Sequence, residues 1–100
     1  MKDLFHPEAE KEFQKSINYY EDCQEGLGYE LAREIYNSRQ SIMEYPNAWP
    51  LFEGNIRRCL IHRFPYGLLY YEEDKEIYIL AIMHLNRDPD YWKTRLRSLV

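Results

Sequence analysis

Ile56-Arg57-Arg58-Cys59-Leu60-Ile61-His62-Arg63, Phe64-Pro65-Tyr66, Leu68-Leu69-Tyr70-Tyr71 and Ile77-Tyr78-Ile79-Leu80-Ala81-Ile82-Met83 decide the fold of this chain. The first stretch alternates two sets, Ile56, Arg58, Leu60 and His62 against Arg57, Cys59, Ile61 and Arg63, which is the period of a strand. Phe64-Pro65-Tyr66 interrupts it as a turn and core element. Leu68 to Tyr71 resumes a strand, and Glu72-Glu73-Asp74-Lys75-Glu76 reads as a charged hairpin tip. Ile77 to Met83 is the most apolar stretch, so the reading makes it a central strand covered on both faces, one of which awaits a partner. These three strands form an antiparallel meander.

Upstream the period changes to that of helices. Pro7 suits the first helical position, and Glu8 and Glu10 lie where the helix dipole favours acids. Ala9, Phe13, Ile17 and Tyr20 then share one face, while Glu12, Lys15, Glu21 and Asp22 fill the other. Gly26-Leu27-Gly28 ends this helix and turns directly into a second, carrying Leu31, Ala32, Ile35, Ser38, Arg39 and Ile42 and stopping before Pro46. Pro46 to Pro50 is loop, and Gly54-Asn55 is a further break. At the other end Asp88 caps a last helix with Pro89 at its first position and Trp92, Leu96 and Leu99 on its apolar face. Lys2 to His6 is long enough for a short strand at the sheet edge. The expected order is β-α-α-β-β-β-α in a single α+β domain over residues 1–100, with the helical hairpin packed on an antiparallel sheet.

Composition excludes several classes. One hundred residues, 45% hydrophobic and 16% aromatic, with ten tyrosines, make a chain that folds on its own core. Cys23 and Cys59 are too few for a disulfide framework and lack neighbours at metal-ligand spacing. The opening residues carry no apolar leader, so a reducing, cytoplasmic location is expected. No apolar run approaches the ~20 residues of a membrane helix. There is no glycine-rich phosphate loop and no nucleophile elbow, and no cofactor or metal is expected.

Net charge is −4, but it is uneven. Met1 to Gly54 holds five bases against eleven acids, a balance of −6, and Asn55 to Val100 holds eight against six, a balance of +2. If helices cover the sheet, one side of the molecule is acidic and the other mildly basic.

Arg57-Arg58, Phe64-Pro65-Tyr66 leading to Tyr70, and the apolar strand running into His84-Leu85-Asn86-Arg87-Asp88-Pro89-Asp90-Tyr91-Trp92 resemble the RelE/ParE superfamily of bacterial toxins. His6-Pro7-Glu8-Ala9, Tyr19-Tyr20, Leu27-Gly28 and Tyr45-Pro46 match it as well, so the resemblance spans essentially the whole chain. It implies the toxin of a type II toxin–antitoxin module, held inactive by a cognate antitoxin in a hetero-oligomer. RelE-like members cleave messenger RNA on the ribosome without a metal, and ParE-like members poison DNA gyrase. The wording of Phe64-Pro65-Tyr66 and of Arg87 to Trp92 is closer to the ParE-like, plasmid-stabilisation branch.

Metal-free RNA cleavage needs a base for the 2′-hydroxyl, cations for the crowded phosphate and an acid for the leaving oxygen. Arg57, Arg63, His84, Arg87 and Tyr91 are the candidates. Arg57 and Arg63 would share a strand face, and His84 and Arg87 lie at the exit of the last strand, where the final helix brings Tyr91 near. Each also has a structural alternative. His84 suits a hydrogen-bonded strand end, and Arg63 and Arg87 suit ion pairs with Glu72, Glu73, Asp88 or Asp90. Tyr91 and Trp92 suit packing anchors, and no role falls to His62 or His6 beyond a helix start at His6-Pro7. A ribosome-binding nuclease is expected to be basic, because phosphate neutralisation supplies most of its affinity. The thin +2 balance ranks a protein target first, a metal-free mRNA endonuclease second, and a weakly toxic antitoxin-binding homologue third.

Overall fold

A computed structural model describes residues 2–98 of the chain. Its elements are β1 (Lys2–Phe5), α1 (Pro7–Cys23), α2 (Leu27–Glu44), β2 (Leu51–Glu53), β3 (Ile56–Leu60), β4 (Tyr66–Glu73), β5 (Glu76–His84) and α3 (Arg95–Ser98). The strands form one sheet in the order β1-β5-β4-β3-β2. The α+β plan with a helical hairpin on a sheet holds, and the sheet differs from expectation in two ways. Leu51–Glu53 is an additional strand, hidden in the sequence because three residues between Pro50 and Gly54 are too few to show a period. The sheet is also mixed. The antiparallel meander from β2 to β5 brings β5 beside β1 running in the same direction, so that pair is parallel. β5 is therefore interior, one place from the central β4.

Two apolar clusters sandwich the sheet. Ala9, Leu31, Ile35 and Ile42 of the helices meet Cys59, Leu68, Tyr70, Ile77, Ile79 and Ile82 on one face. On the other, Ile56, Leu69, Tyr71, Leu80, Ala81 and Met83 pack around Trp92, which is 1% exposed. The second face of β5 is thus covered by the chain's own C-terminal segment. That segment is not the expected helix. The Asp88 carboxylate accepts the Asp90 N–H at 2.9 Å, a local bond that competes with helix formation, and turns continue until α3. Leu99 lies outside the described residues.

The register explains a feature needed below. Leu69 pairs with Ala81 and Tyr70 with Ile79, so Leu80 is an extra residue on β5, a β-bulge. β3 ends at Leu60, and Arg63 follows in a turn at φ 73°, so Arg57 and Arg63 share no strand face.

The hairpin turn between α1 and α2 rests on one carboxylate. Glu21 accepts the Gly26 N–H at 2.8 Å and the Gly28 N–H at 3.0 Å, satisfying donors that a helix start leaves unpaired. A Cβ on Gly28 would stand 2.6 Å from the Ile17 carbonyl oxygen, so a side chain there would push the two helices apart. Gly28→Ala is expected to lose roughly 2 kcal/mol in a denaturant melt, the usual scale of overpacking.

His6 does more than begin a helix. Its Nδ1 accepts the Glu8 N–H at 3.0 Å, making it the N-cap of α1. Burial, and then the Arg95 charge, hold its pKa below the ordinary 6.5. The unfolded chain therefore takes up this proton at higher pH than the native one does. The contribution of His6 is complete above pH 6.5 and is lost as pH falls through the lower native value. His6→Asn keeps a capping oxygen without titrating, so the variant should lose less stability than the parent between about pH 7 and pH 5. Parallel urea melts at the two pH values measure that difference.

Candidate functional site

β1 pairs with β5 only as far as Phe5 and Ile79, with a last rung from the His6 N–H to the Ile79 carbonyl at 2.9 Å. Beyond that rung and at the bulge, the Leu80 carbonyl and the Ile82 N–H face no neighbouring strand. Two side chains replace it. Glu12 of α1 accepts the Ile82 N–H at 3.1 Å, and Arg95 of α3 donates to the Leu80 carbonyl at 3.1 Å. Glu12 and Arg95 also join each other by two parallel bonds of 2.8 Å, with side chains only 14% and 10% exposed. Such a fork is the strong form of a carboxylate–guanidinium contact.

The remaining capacity of Glu12 is used as well. Its Oε2 accepts the Tyr91 hydroxyl at 2.7 Å and an Arg87 N–H at 3.2 Å. The Arg87 and Arg95 guanidiniums lie over the Tyr91 ring, 3.6 and 4.9 Å from its centroid. Burial first, and then the hydrogen bond to Glu12, push the Tyr91 hydroxyl well above its ordinary pKa of 10.

Beside this knot an open cleft of about 360 Å³ lies between α1 and the ends of β4 and β5. Glu12, Lys15, Tyr19, Tyr20, Tyr66, His84 and Arg87 are among its walls. Its rings form a continuous edge-to-face series, with Tyr19 to Tyr20 at 5.1 Å, Tyr20 to Tyr66 at 6.3 Å and Tyr66 to His84 at 5.1 Å. His84 Nδ1 accepts the Asn86 N–H at 3.1 Å, so a neutral ring carries its proton on Nε2 as a donor.

The five residues singled out from sequence separate into two groups. His84, Arg87 and Tyr91 come together around the cleft and Glu12. Arg57 instead donates to the Trp49 carbonyl and stands near Tyr70, whose hydroxyl donates to the Pro46 carbonyl at 2.7 Å. Burial pushes the Tyr70 pKa up to about 12. Arg63 pairs with Glu30 of α2 at 3.2 Å and lies over the Phe64 ring. The ion-pair alternative for Arg63 and Arg87 is therefore the observed one, with Glu30 and Glu12 as partners in place of Glu72, Glu73, Asp88 or Asp90. Sequence reasoning missed Glu12 and Arg95. Glu12 stood on the polar face of α1, yet it is one turn from Ala9 and Ser16, both buried. That boundary position was its one available signal.

A solved structure described as the chromosomal ParDE TA system from P. aeruginosa has the same fold, with a TM-score of 0.73, 18% sequence identity, and coverage of 86% of this chain and 97% of that one. No curated protein gives a significant sequence match. The family model for the ParE toxin of the type II toxin–antitoxin system, parDE, matches residues 4–89. The chain therefore belongs to the ParE toxin family. Among the described residues no helix is long and apolar enough to cross a membrane.

Glu12→Gln keeps the shape of the knot and removes the charge that holds two guanidiniums together. It is expected to cost roughly 3 kcal/mol, the scale for stranding one member of a buried pair. Arg87→Ala is expected to cost less than about 1 kcal/mol, because that side chain is half exposed at 53%. Denaturant midpoints of the two variants test the ranking.

Proposed function

We propose that the chain is a type II toxin that acts by binding a protein target, DNA gyrase, in the cytoplasm, and that a cognate antitoxin neutralises it. The observation carrying this reading is where the cations go. A metal-free nuclease must aim several guanidiniums at one phosphate, but here Arg95 is held by Glu12, Arg63 by Glu30 and Arg57 by a backbone carbonyl, so of the candidate arginines the half-exposed Arg87 stands alone at the cleft. Tyr91 is equally committed, since a phenol raised by burial and bonded to a carboxylate is a poor proton donor. A protein target requires no positive field of the kind RNA requires. The family and the fold shared with a toxin–antitoxin complex support an antitoxin partner.

One observation favours the second reading, a ribosome-dependent mRNA endonuclease. His84 and Arg87 line the same cleft, so an acid–base group and a cation are already neighbours there. Induction in bacteria separates the two. The gyrase reading expects a DNA-damage response and inhibited supercoiling by purified gyrase, with no messages cut at ribosomes. Messages cut at ribosomes, with cutting lost in His84→Ala or Arg87→Ala, would establish the nuclease instead. A folded protein without effect on growth would leave only an antitoxin-binding role.

A further inference from the structure

The cleft beside Glu12 has a charge opposite in sign to that of the whole chain. Of the Asp, Glu, Lys and Arg side chains in its walls, the carboxylate of Glu12 stands against the cations of Lys15 and Arg87, an excess of one positive charge. The Lys15 ammonium is exposed and makes no ion pair among the described residues. The cleft is thus locally positive on a chain of −4 whose first 54 residues carry −6. The opposite wall is the ring series Tyr19, Tyr20, Tyr66 and His84, with Tyr19 61% exposed. An anionic group and an apolar body are wanted side by side.

We propose that this cleft docks an acidic peptide segment of a protein partner, with one carboxylate set against Lys15, Arg87 and the His84 Nε2–H and an adjacent aromatic or aliphatic side chain against Tyr20 and Tyr66. The volume of about 360 Å³ suits one or two side chains and not a folded domain. The acidic helical half around the cleft repels a polyanion at every phosphate, whereas a single carboxylate meets only the local charge. Tyrosine and arginine at the centre of a patch are also the residue types that carry most of the affinity in protein interfaces. The proposal rests on the reading of the chain as a binder of protein partners, but it does not require that the target be gyrase.

The test is a titration of the full chain, followed by backbone amide and Trp92 indole NMR signals. The probes are N-acetyl-Phe-Glu-amide, N-acetyl-Phe-Gln-amide, inorganic phosphate and hexauridylate. The expected result is saturable shifts at Lys15, Tyr66, His84 and Arg87 with the Glu probe. The Gln probe should bind about tenfold more weakly, the loss of one charge-assisted hydrogen bond. Lys15→Gln should weaken the Glu probe by a similar factor while leaving the Trp92 signal in place, which shows that the fold is intact. Equal binding of the Glu and Gln probes, or no saturable shift at these residues, would overturn the proposal. So would phosphate matching the peptide, the mark of a bare anion site, or hexauridylate binding tighter, the mark of RNA. An unchanged gyrase assay would defeat the gyrase reading while leaving this titration intact, so the two failures are distinguishable.

Discussion

The ion pair between Glu12 and Arg95 is the contact on which the arrangement of the second half depends. A strand edge that runs past its neighbour exposes N–H and C=O groups, and a protein must pair, cover or charge them. β5 runs past β1 in this way and adds a bulge at Leu80 that disturbs the ladder further. Glu12 presents an acceptor to Ile82 and Arg95 presents a donor to Leu80, so the pair performs the hydrogen bonding of the missing strand. Because the two side chains come from α1 and α3, the same contact ties both helices to the sheet. The hydrogen bonds to backbone and to Tyr91 use the remaining lone pairs, which is the condition under which a largely buried pair is tolerated.

That pair also changes the meaning of the charge distribution. The −6 and +2 halves are not separate from each other. They meet. Glu12 with Arg87 and Arg95, Glu30 with Arg63, and Glu53 with Lys93 all join an acid before Gly54 to a base after it. The excess bases of the sheet half are thus counter-ions of the helical half, and they work as fasteners between layers. The exposed pairs contribute little individually, but the Glu12 centre is shielded from solvent, so its geometry is held.

The C-terminal segment shows how this fastening substitutes for regular structure. Its backbone is mostly turns, and a helix as short as Arg95–Ser98 has little stability alone. Trp92 anchors it to the second sheet face, and Tyr91 and Arg95 anchor it to α1. The neighbouring apolar face of β5 is therefore covered by Trp92, with Tyr91 packed beside it.

Legibility followed the range of the interactions. Helices at Pro7 and Leu27, the strands β3 to β5 and the edge strand at the N-terminus were readable because period and punctuation are local. β2 was too short for a period, and the parallel pairing of β1 depends on how the whole meander returns. At the site, type and position were legible for His84, Arg87 and Tyr91, since the strand exit brings them together. Their partner was not. Glu12 is 70 residues from Ile82 and 83 from Arg95 in sequence, and within α1 its spacing from Ala9 and Ser16 alone sets it apart from the solvated acids beside it. The candidate cations illustrate the consequence. An arginine poised for phosphate and an arginine held by a carboxylate have the same local sequence, so the partners of Arg63 and Arg87 depend on which acid the fold brings opposite them.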